Sequence, residues 1–175
     1  MHDKQIRYSG RYLSLVEQDH WEYASRVNCS GVAVIVAVTE KRELVLVEQY
    51  RIPVQANVIE LPAGLIADEP AHAGESGIDA AGRELEEETG FSAAQMDILL
   101  HCPTTSGLAD EMVTFYLAGK LKRLHNGGGD DSEQIRVHVV GLDGIDTWLD
   151  QKAAAGKLLD PKIYSALYWL HVRGV

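Results

Sequence analysis

The segment GRELEEETGF at residues 82–91 constrains this chain most, because it places four glutamates within five positions at the end of a predicted helix. The residue pattern predicts a helix that begins near Glu75 or Ser76 and ends at Gly90, a residue that tolerates positive φ. Negative charge is unfavourable there, since the helix dipole is itself negative at the C-terminus. Two explanations are open: a solvated charged face, or a positive group bound beside the helix.

Helical geometry divides the four glutamates between two directions. At about 100° per residue, three of them share one flank, and Glu86 points elsewhere. The three that share the flank are Glu84, Glu87 and Glu88. The neighbouring stripe, predicted to be buried, consists of Ile78, Ala81 and Leu85.

Three carboxylates on one face, joined by backbone carbonyls from a nearby glycine turn, form an oxygen-rich site suited to Mg²⁺ or Mn²⁺. The formal charge of -10 disfavours a protein that holds nucleic acid through its phosphates. A small anionic ligand would then need local arginines or bound cations. The composition therefore favours a cation-assisted site over a nucleic-acid surface.

The length of 175 residues and the 46% apolar content predict a single domain. The two cysteines, Cys29 and Cys102, are far apart, so neither a disulfide framework nor a zinc knuckle is predicted, and a reducing cytoplasm is the expected location. The N-terminus lacks an apolar signal region, and no apolar run approaches the roughly 18 residues of a membrane span. We expect no membrane partner.

Alternating and apolar runs predict the order β-β-β-α-β-β-β-α-α, an α+β fold with an α/β/α sandwich around a mixed sheet. Residues 5–26 predict a short N-terminal antiparallel hairpin. The runs at 30–38 and 43–51 predict two buried strands of a second hairpin, followed by a strand at 58–64. Further strands are predicted at 96–102, 112–119 and 135–141, and helices at 143–155 and 161–173.

The sequence of the acidic helix resembles the signature of the Nudix hydrolases, G-x5-E-x7-R-E-U-x-E-E-x-G-U, where U is a bulky apolar residue. Every position from Glu75 to Phe91 matches. The leading glycine departs from the pattern, because Gly64 lies eleven residues before Glu75 where the signature has six. The loop ahead of the helix therefore contains a five-residue insertion, within LIADEPAHAG.

The resemblance extends over nearly the whole chain and is strongest to the ADP-ribose pyrophosphatase branch, which hydrolyses nucleoside diphosphate sugars. The segments that carry it are W21-E-x3-R26, SGVAVIVAV, L46-V-E-Q-Y-R51, I59-E-L-P-A-G-L65, the loop from C102-P103 to D110-E111, and I135-R-V-H-V-V140. It implies a Nudix-type sandwich as a single domain over residues 1–175, with the N-terminal hairpin at 1–28 and the catalytic core at 29–175.

The resemblance also implies a metal site and a reaction. The implied ligands of Mg²⁺ or Mn²⁺ are Glu84, Glu87, Glu88 and the carbonyl of Ala63, with Glu88 among the catalytic residues. Glu75 and Arg83 would form a structural pair. The implied reaction cleaves the pyrophosphate bridge into a nucleoside monophosphate and a sugar phosphate. The general base is expected in the acidic loop 130–133, with Glu133 favoured over Asp131.

Five further residues are candidates for substrate binding through the same resemblance. Trp21, with Glu22 nearby, would stack on the nucleobase, although an ordinary core aromatic is the alternative. Arg51 would contact phosphate, because a guanidinium matches phosphate oxygens in pairs, against the alternative of a salt bridge at the rim. Arg26 is a weaker candidate of the same kind, and Glu111 is either a site residue or a solvated acid.

The resemblance further implies a homodimer in which the N-terminal hairpin completes the partner's pocket. Within the enzyme class, GDP-mannose, another sugar nucleotide or a dinucleotide is an alternative substrate. A non-catalytic nucleotide-sensing module is the alternative of another class, disfavoured by the intact glutamates. Hydrolysis of RNA caps or 5′ ends is disfavoured by the acidic charge balance.

Overall fold

The computed structural model describes residues 3–129 and 134–175. The strands are β1 Gln5–Ser9, β2 Leu13–Gln18, β3 Trp21–Arg26, β4 Val32–Ala37, β5 Glu43–Arg51, β6 Ala56–Glu60, β7 Ala63–Leu65, β8 Phe91–Pro103, β9 Met112–Arg123, β10 Arg136–Gly141 and β11 Leu158–Leu159. The helices are α1 Gly77–Thr89, α2 Ile145–Ala154 and α3 Lys162–Arg173, and 3₁₀ turns occur at Ile52–Val54, Pro70–His72 and Leu142–Gly144.

The N-terminal region forms an antiparallel sheet in the order β1-β2-β3. The predicted hairpin is the β2–β3 pair, with Val16 opposite Tyr23. β1 adds a third strand along β2, with a bulge between Ile6 and Tyr8. Ala24 also bridges Ala109, so the loop before β9 lies along the outer edge of β3.

Two mixed four-stranded sheets form the core, in the orders β7-β4-β9-β8 and β10-β5-β6-β11. On β4, Val34 and Val36 belong to the apolar cluster that includes residues of α2 and α3. Ala33 and Ile35 on the same strand belong to the cluster that includes residues of α1. A strand buried on both faces lies between helical layers, which confirms the predicted α+β class and its α/β/α layering.

The predicted hairpin between residues 30–38 and 43–51 is wrong. β4 pairs with β7 and, in parallel, with β9, whereas β5 pairs with β6 and β10. Only a single bridge between Val38 and Leu44 connects the two runs. The polar turn between them indicated a hairpin, but both runs are apolar throughout, so each can lie at the centre of its own sheet.

The helix that carries the glutamates begins and ends close to the predicted positions. Ser76 caps α1 by accepting a hydrogen bond from the Asp79 N–H at 3.2 Å, and Gly90 ends it with φ of 73°. Ala81 and Leu85 are buried as predicted, but Ile78 is 47% exposed, which corrects its assignment to the core. Ile78 lies in the first turn, and periodicity fixes a side chain's direction without ensuring that another element covers it.

The C-terminal helices lie near their predicted positions. α3 begins one residue after Pro161, and Asp160 Oδ1 accepts a hydrogen bond from the Lys162 N–H at 2.7 Å, as a capping carboxylate does. β11 was not predicted; it pairs in parallel with β6. None of the helices in the described ranges has the length and apolar character needed to cross a bilayer.

Candidate active site

A cavity of about 530 Å³ opens where β3, β6, β7 and α1 meet. Its lining residues are Arg26, Val32, Arg51, Glu60, Leu61, Ala63, Gly64, Leu65, Asp68, Glu69, His72, Arg83, Glu84, Glu87, Thr104, Glu111, Val113 and Lys162. The set includes most of the residues singled out from the sequence, although they come from segments as distant as residues 26 and 111. The fold therefore brings most of the predicted metal ligands and part of the predicted substrate-binding residues to one cavity.

The carboxylate of Glu84 lies directly against the α-carbon of Gly64. A β-carbon built at position 64 would overlap the Glu84 carboxylate, so only glycine fits there. In the same strand, β7, the Ala63 N–H donates a hydrogen bond of 3.2 Å to Glu88 Oε2. Glu88 is only 3% exposed. The contacts between β7 and α1 thus bring the carboxylates of Glu84 and Glu88 close to the Ala63 backbone.

Arg83 connects the carboxylates on this side of the cavity. Its guanidinium donates to Glu75 at 3.0 and 3.2 Å, and to Glu84 at 2.8 Å and Glu87 at 3.1 Å. It also donates to the Leu65 carbonyl at 3.4 Å. The hydrogen bond from Arg83 lowers the pKa of Glu75, and the bond to Glu75 in turn raises the pKa of Arg83. The predicted Glu75–Arg83 pair is therefore present.

The carbonyl groups at the end of α1 are capped by the glycine-rich segment 127–129. The Gly128 N–H donates to the Glu88 carbonyl at 2.9 Å, and the Gly129 N–H donates to the Glu87 carbonyl at 3.1 Å. Gly127 has φ of 69°, and a β-carbon there would overlap the Glu88 carbonyl oxygen. These hydrogen bonds hold the three glycines against the helix that carries the glutamates.

The donor atoms fit a hard divalent cation. Glu84, Glu87, Glu88 and the Ala63 carbonyl offer oxygen atoms only, as Mg²⁺ and Mn²⁺ prefer. Glu84 and Glu87 both accept from the same Arg83 nitrogen, and Glu88 accepts from Ala63. Within residues 3–129 and 134–175, no three acidic, histidine or cysteine side chains converge into a ready-made metal cluster.

Three of the five predicted substrate-binding residues lie in the cavity. Arg26 is ion-paired with Glu111, and Arg51 donates to Glu60 from Nη2 at 2.7 Å and from Nε at 2.9 Å. Gln49 donates to the same Glu60 oxygen at 3.2 Å, so two groups orient that carboxylate. Arg51 therefore lines the cavity and makes the salt bridge of the alternative interpretation, while its contact with phosphate stays a prediction.

Trp21 and Glu22 do not line this cavity. Trp21 is 56% exposed and borders a separate cleft of about 320 Å³, together with Tyr23 and the loop 106–110. The two predicted base candidates, Glu133 and Asp131, lie outside the described residues. The residues on either side of that segment have defined hydrogen bonds. The Gly129 N–H donates to the Glu87 carbonyl at the end of α1, and the Ile135 N–H donates to the Gly128 carbonyl at 3.2 Å.

Six polar residues among those that line the cavity were not predicted from the sequence. They are Glu60, Asp68, Glu69, His72, Thr104 and Lys162. Glu60 had a usable signal, because it is an acid inside an otherwise apolar strand next to the Pro-Ala-Gly turn. Lys162 had none, since α3 reaches the cavity only through the pairing of β11 with β6.

The family model of the NUDIX domain matches residues 29–163. The chain belongs to the Nudix family. The acidic helix and its arginine are thus those of a Nudix hydrolase, and the predicted assignment to an enzyme family is confirmed.

Two similar bacterial proteins match this chain along most of their length. The chain is 32% identical to the methanol dehydrogenase activator of Bacillus methanolicus, over 95% of this chain and 89% of that protein. It is 29% identical to the ADP-ribose pyrophosphatase of Bacillus subtilis (strain 168), over 97% and 91% of the two chains. The crystal structure of an ADP compounds hydrolase has the same fold, with a TM-score of 0.73 at 21% identity, covering 98% of this chain and 94% of the other.

Proposed function

We propose that this Nudix protein hydrolyses the pyrophosphate bond of nucleoside diphosphate sugars, with ADP-ribose as the first substrate to test and Mg²⁺ or Mn²⁺ as the cofactor. The observation that carries the proposal is the shared cavity. Glu84, whose carboxylate packs against Gly64, lines the same cavity as Arg51 and Arg26. The similarity to an ADP-ribose pyrophosphatase supports the choice of substrate.

The charge of the cavity supports a metal-dependent reaction. Six carboxylates and four cationic side chains line it in the described part of the chain. The cations are already engaged: Arg26 with Glu111, Arg51 with Glu60, Arg83 with the helix glutamates and Lys162 with Asp160. A pyrophosphate diester would therefore enter an acidic space, which favours neutralisation by divalent cations.

Divalent ions bound by the α1 glutamates and the Ala63 carbonyl would neutralise the phosphates and lower the pKa of a coordinated water. The protein's own groups would divide the remaining work. Arg51, oriented by Glu60, would bind a phosphate through its guanidinium, and Arg26 would do so more weakly from its pair with Glu111. Arg83 would position Glu84 and Glu87 through its hydrogen bonds.

The general base is proposed to be Glu133, with Asp131 as the second candidate. The anchoring of Gly128 and Gly129 to the carbonyl groups of Glu88 and Glu87 supports this choice. The N-terminal flank of the acidic segment is thereby held at the end of the helix that carries the metal ligands, and on the other flank the Ile135 N–H donates to the Gly128 carbonyl. Glu133→Gln should lower kcat while leaving the affinity for Mg²⁺ unchanged.

We further propose a cytoplasmic homodimer in which the N-terminal residues 1–28 reach the partner, so that Trp21 and Glu22 face the partner's cavity and Trp21 stacks on the base. The exposure of Trp21, and its place in a cleft separate from its own chain's cavity, support this arrangement. Sedimentation equilibrium should give twice the chain mass. A mass of one chain with full activity would rule this arrangement out.

Phosphorus NMR of the products tests the function directly. Wild-type protein with Mg²⁺ is incubated with ADP-ribose, GDP-mannose and a dinucleotide, and we expect a nucleoside monophosphate and a sugar phosphate from ADP-ribose. Faster release of these products from GDP-mannose would support the same reaction with GDP-mannose as the preferred substrate. Tight binding without release from any of them, in Mg²⁺ or Mn²⁺, would instead indicate a sensing module.

A further inference from the structure

Lys162 is the first residue of α3 and one of the residues that line the cavity. Sheet pairing brings it there from the far end of the chain. β11 pairs in parallel with β6, and the Asp160 N–H donates to the Ile59 carbonyl at 2.9 Å. This register places Asp160 next to Glu60, the carboxylate that holds Arg51. Lys162 thus enters the cavity on the side where Glu60 and Arg51 lie.

Asp160 binds Lys162 through both of its carboxylate oxygens. Oδ1 accepts from the Lys162 backbone N–H at 2.7 Å, and Oδ2 accepts from Lys162 Nζ at 2.5 Å. The side chains of Asp160 and Lys162 are 11% and 29% exposed, so the pair is largely buried. An ammonium group has three N–H donors, and Asp160 uses one of them. Lys162 can therefore bind a second acceptor without leaving Asp160.

The counter-ion of Lys162 has a different position from those of the cavity arginines. Each arginine is ion-paired with a carboxylate that also lines the cavity: Arg26 with Glu111, Arg51 with Glu60, and Arg83 with Glu84 and Glu87. Among the described residues, Lys162 lines the cavity while its partner Asp160 does not. The cavity therefore meets the positive end of this ion pair, whereas the arginines bring their counter-charges with them.

The charge of the proposed substrates indicates which group this lysine would bind. A nucleoside diphosphate sugar carries its negative charge on two adjacent phosphates, whereas its base and sugar are uncharged. Arg51 is the proposed contact for one phosphate, and Lys162 lies in the same lining. An ammonium group binds phosphate as a compact point charge, through a charge-assisted hydrogen bond. A phosphate oxygen is therefore the acceptor that suits Lys162 best.

We propose that Lys162 is a further substrate-binding residue, whose ammonium group donates to a phosphate oxygen of the diphosphate beside the contact made by Arg51. This proposal rests on the proposed hydrolysis of nucleoside diphosphate sugars. Lys162 lies more than 70 residues after the end of the Nudix signature at Phe91, so the signature gives it no role.

Removal of the charge tests the contact. Lys162→Met should raise KM for ADP-ribose about tenfold or more, the loss expected for a hydrogen bond to a charged group. The kcat should change less, because the contact forms with the bound substrate as well as with the transition state. Lys162→Arg keeps the charge and should recover most of the affinity. Lys122→Met removes an exposed lysine of β9 outside the cavity lining, and as the matched control it should leave KM unchanged.

A change of Asp160 separates this contact from a purely structural ion pair. Asp160→Asn keeps an oxygen that can accept from the Lys162 N–H, and it removes the carboxylate that neutralises the ammonium. KM should then stay at or below its wild-type value, whereas Lys162→Met raises it. An equal rise of KM in both variants, or an unchanged KM in Lys162→Met, would overturn the proposal. Thermal unfolding of each variant establishes that the fold is retained.

A binding measurement keeps this proposal distinct from the proposed function. Calorimetric titration uses ADP-ribose and ADP, which lacks the second sugar, in Ca²⁺ to prevent turnover. Lys162→Met should weaken both ligands by similar factors, and a loss confined to ADP-ribose would place the lysine at the sugar and overturn the phosphate contact.

The two proposals can then fail separately. If the wild-type protein hydrolyses no nucleoside diphosphate sugar, the function is refuted, and a loss of ADP affinity in Lys162→Met still supports the contact. An active wild-type protein whose ligand affinities are unchanged by Lys162→Met refutes the contact alone. Failure of the wild-type protein to bind either ligand would refute both.

Discussion

The Glu84 carboxylate lies against the α-carbon of Gly64, in the volume that any side chain at position 64 would occupy. Gly64 belongs to β7, the short strand that supplies the Ala63 carbonyl, and Glu84 belongs to α1. A proposed backbone ligand and a proposed side-chain ligand are therefore placed by the same close approach. Glycine is required here for space and not for its backbone conformation, because Gly64 is not one of the glycines with positive φ.

Gly64→Ala should reduce activity on ADP-ribose on the order of 100-fold or more, because the added methyl group displaces the Glu84 carboxylate. Mutating a residue that hydrogen-bonds to a metal ligand typically lowers metal affinity or activity 10- to 100-fold. This change moves a proposed ligand itself. Steady-state kinetics at several Mg²⁺ concentrations are the measurement.

Gly82→Ala is the matched control. It lies in α1, and among the described residues no atom outside its chain neighbours and the backbone of its own helix lies within 4 Å of the position its β-carbon would take. Alanine favours a helix interior over glycine, so this variant should gain about 0.5–1 kcal/mol of unfolding free energy and keep its activity. Equal activity in the two variants would contradict the close-approach argument.

Glu88→Gln should abolish Mg²⁺-dependent activity, whereas Glu86→Gln should leave it nearly unchanged. Glu88 is buried beside Ala63, and Glu86 is exposed on the other side of the helix. The amide retains the size of the side chain and removes the charge, so the loss would report metal affinity. Isothermal titration with Mn²⁺ measures that affinity, and comparable losses in both variants would show that the division of the four glutamates is wrong.

The sequence predicted the helix and its acidic flank because local rules act within one segment. The positions of Ser76 and Gly90, and the direction of each glutamate, follow from capping and helical periodicity. Sheet pairing is different, since β4 and β5 are adjacent in sequence yet belong to different sheets. Their apolar content showed that both were buried but did not identify their partners.

The cavity wall from residues 66–74 could not be predicted from the resemblance, because it lies where the chain departs from the Nudix signature. His72 enters the cavity lining from this same departing segment, so the signature says nothing about it. Lys162 likewise enters the cavity through the placement of a helix far along the chain. By contrast, Arg26, Arg51 and Glu111 were predicted through the resemblance, and they do line the cavity.

The Glu75–Arg83 pair should make stability depend on pH in the acid range. Because Arg83 lowers the folded-state pKa of Glu75, the stabilisation is complete above the unfolded value near 4.5 and is lost as the pH falls through the lower folded value. Glu75→Gln should therefore cost about 1–3 kcal/mol at pH 7, the range for a charged hydrogen bond. Both side chains are largely buried, at 11% and 19% exposure.

Urea unfolding in EDTA at pH 7 and at pH 3.5 measures this dependence without a contribution from bound metal. The difference between wild-type protein and Glu75→Gln should shrink at the lower pH. Glu86→Gln, on the solvated side of α1, is the control and should differ little from wild type at either pH. A difference for Glu75→Gln that is the same at both pH values would mean that the pair is not the source of its stabilisation.

A second buried network, away from the cavity, should affect stability without affecting catalysis. Glu48 accepts from Lys157 Nζ at 2.7 Å and pairs with His138 Nε2 at 3.0 Å. Burial alone would raise the pKa of Glu48, but the hydrogen bonds from Lys157 and His138 outweigh it and lower that pKa. His138 packs edge-on against Trp148 of α2 with ring centroids 5.0 Å apart, so the network joins β5 and β10 to α2 and the turn that follows it.

Glu48→Gln should lower the unfolding free energy by about 2–4 kcal/mol at pH 7, because it leaves Lys157 without its buried counter-charge. The kcat for ADP-ribose at 25 °C should be unchanged, since none of Glu48, His138 and Lys157 lines the cavity. Asp143→Asn, which removes an exposed partner of Arg42 at 3.8 Å, is the control and should leave the denaturation midpoint where it was. A loss of kcat in folded Glu48→Gln would connect this network to catalysis and contradict its purely structural role.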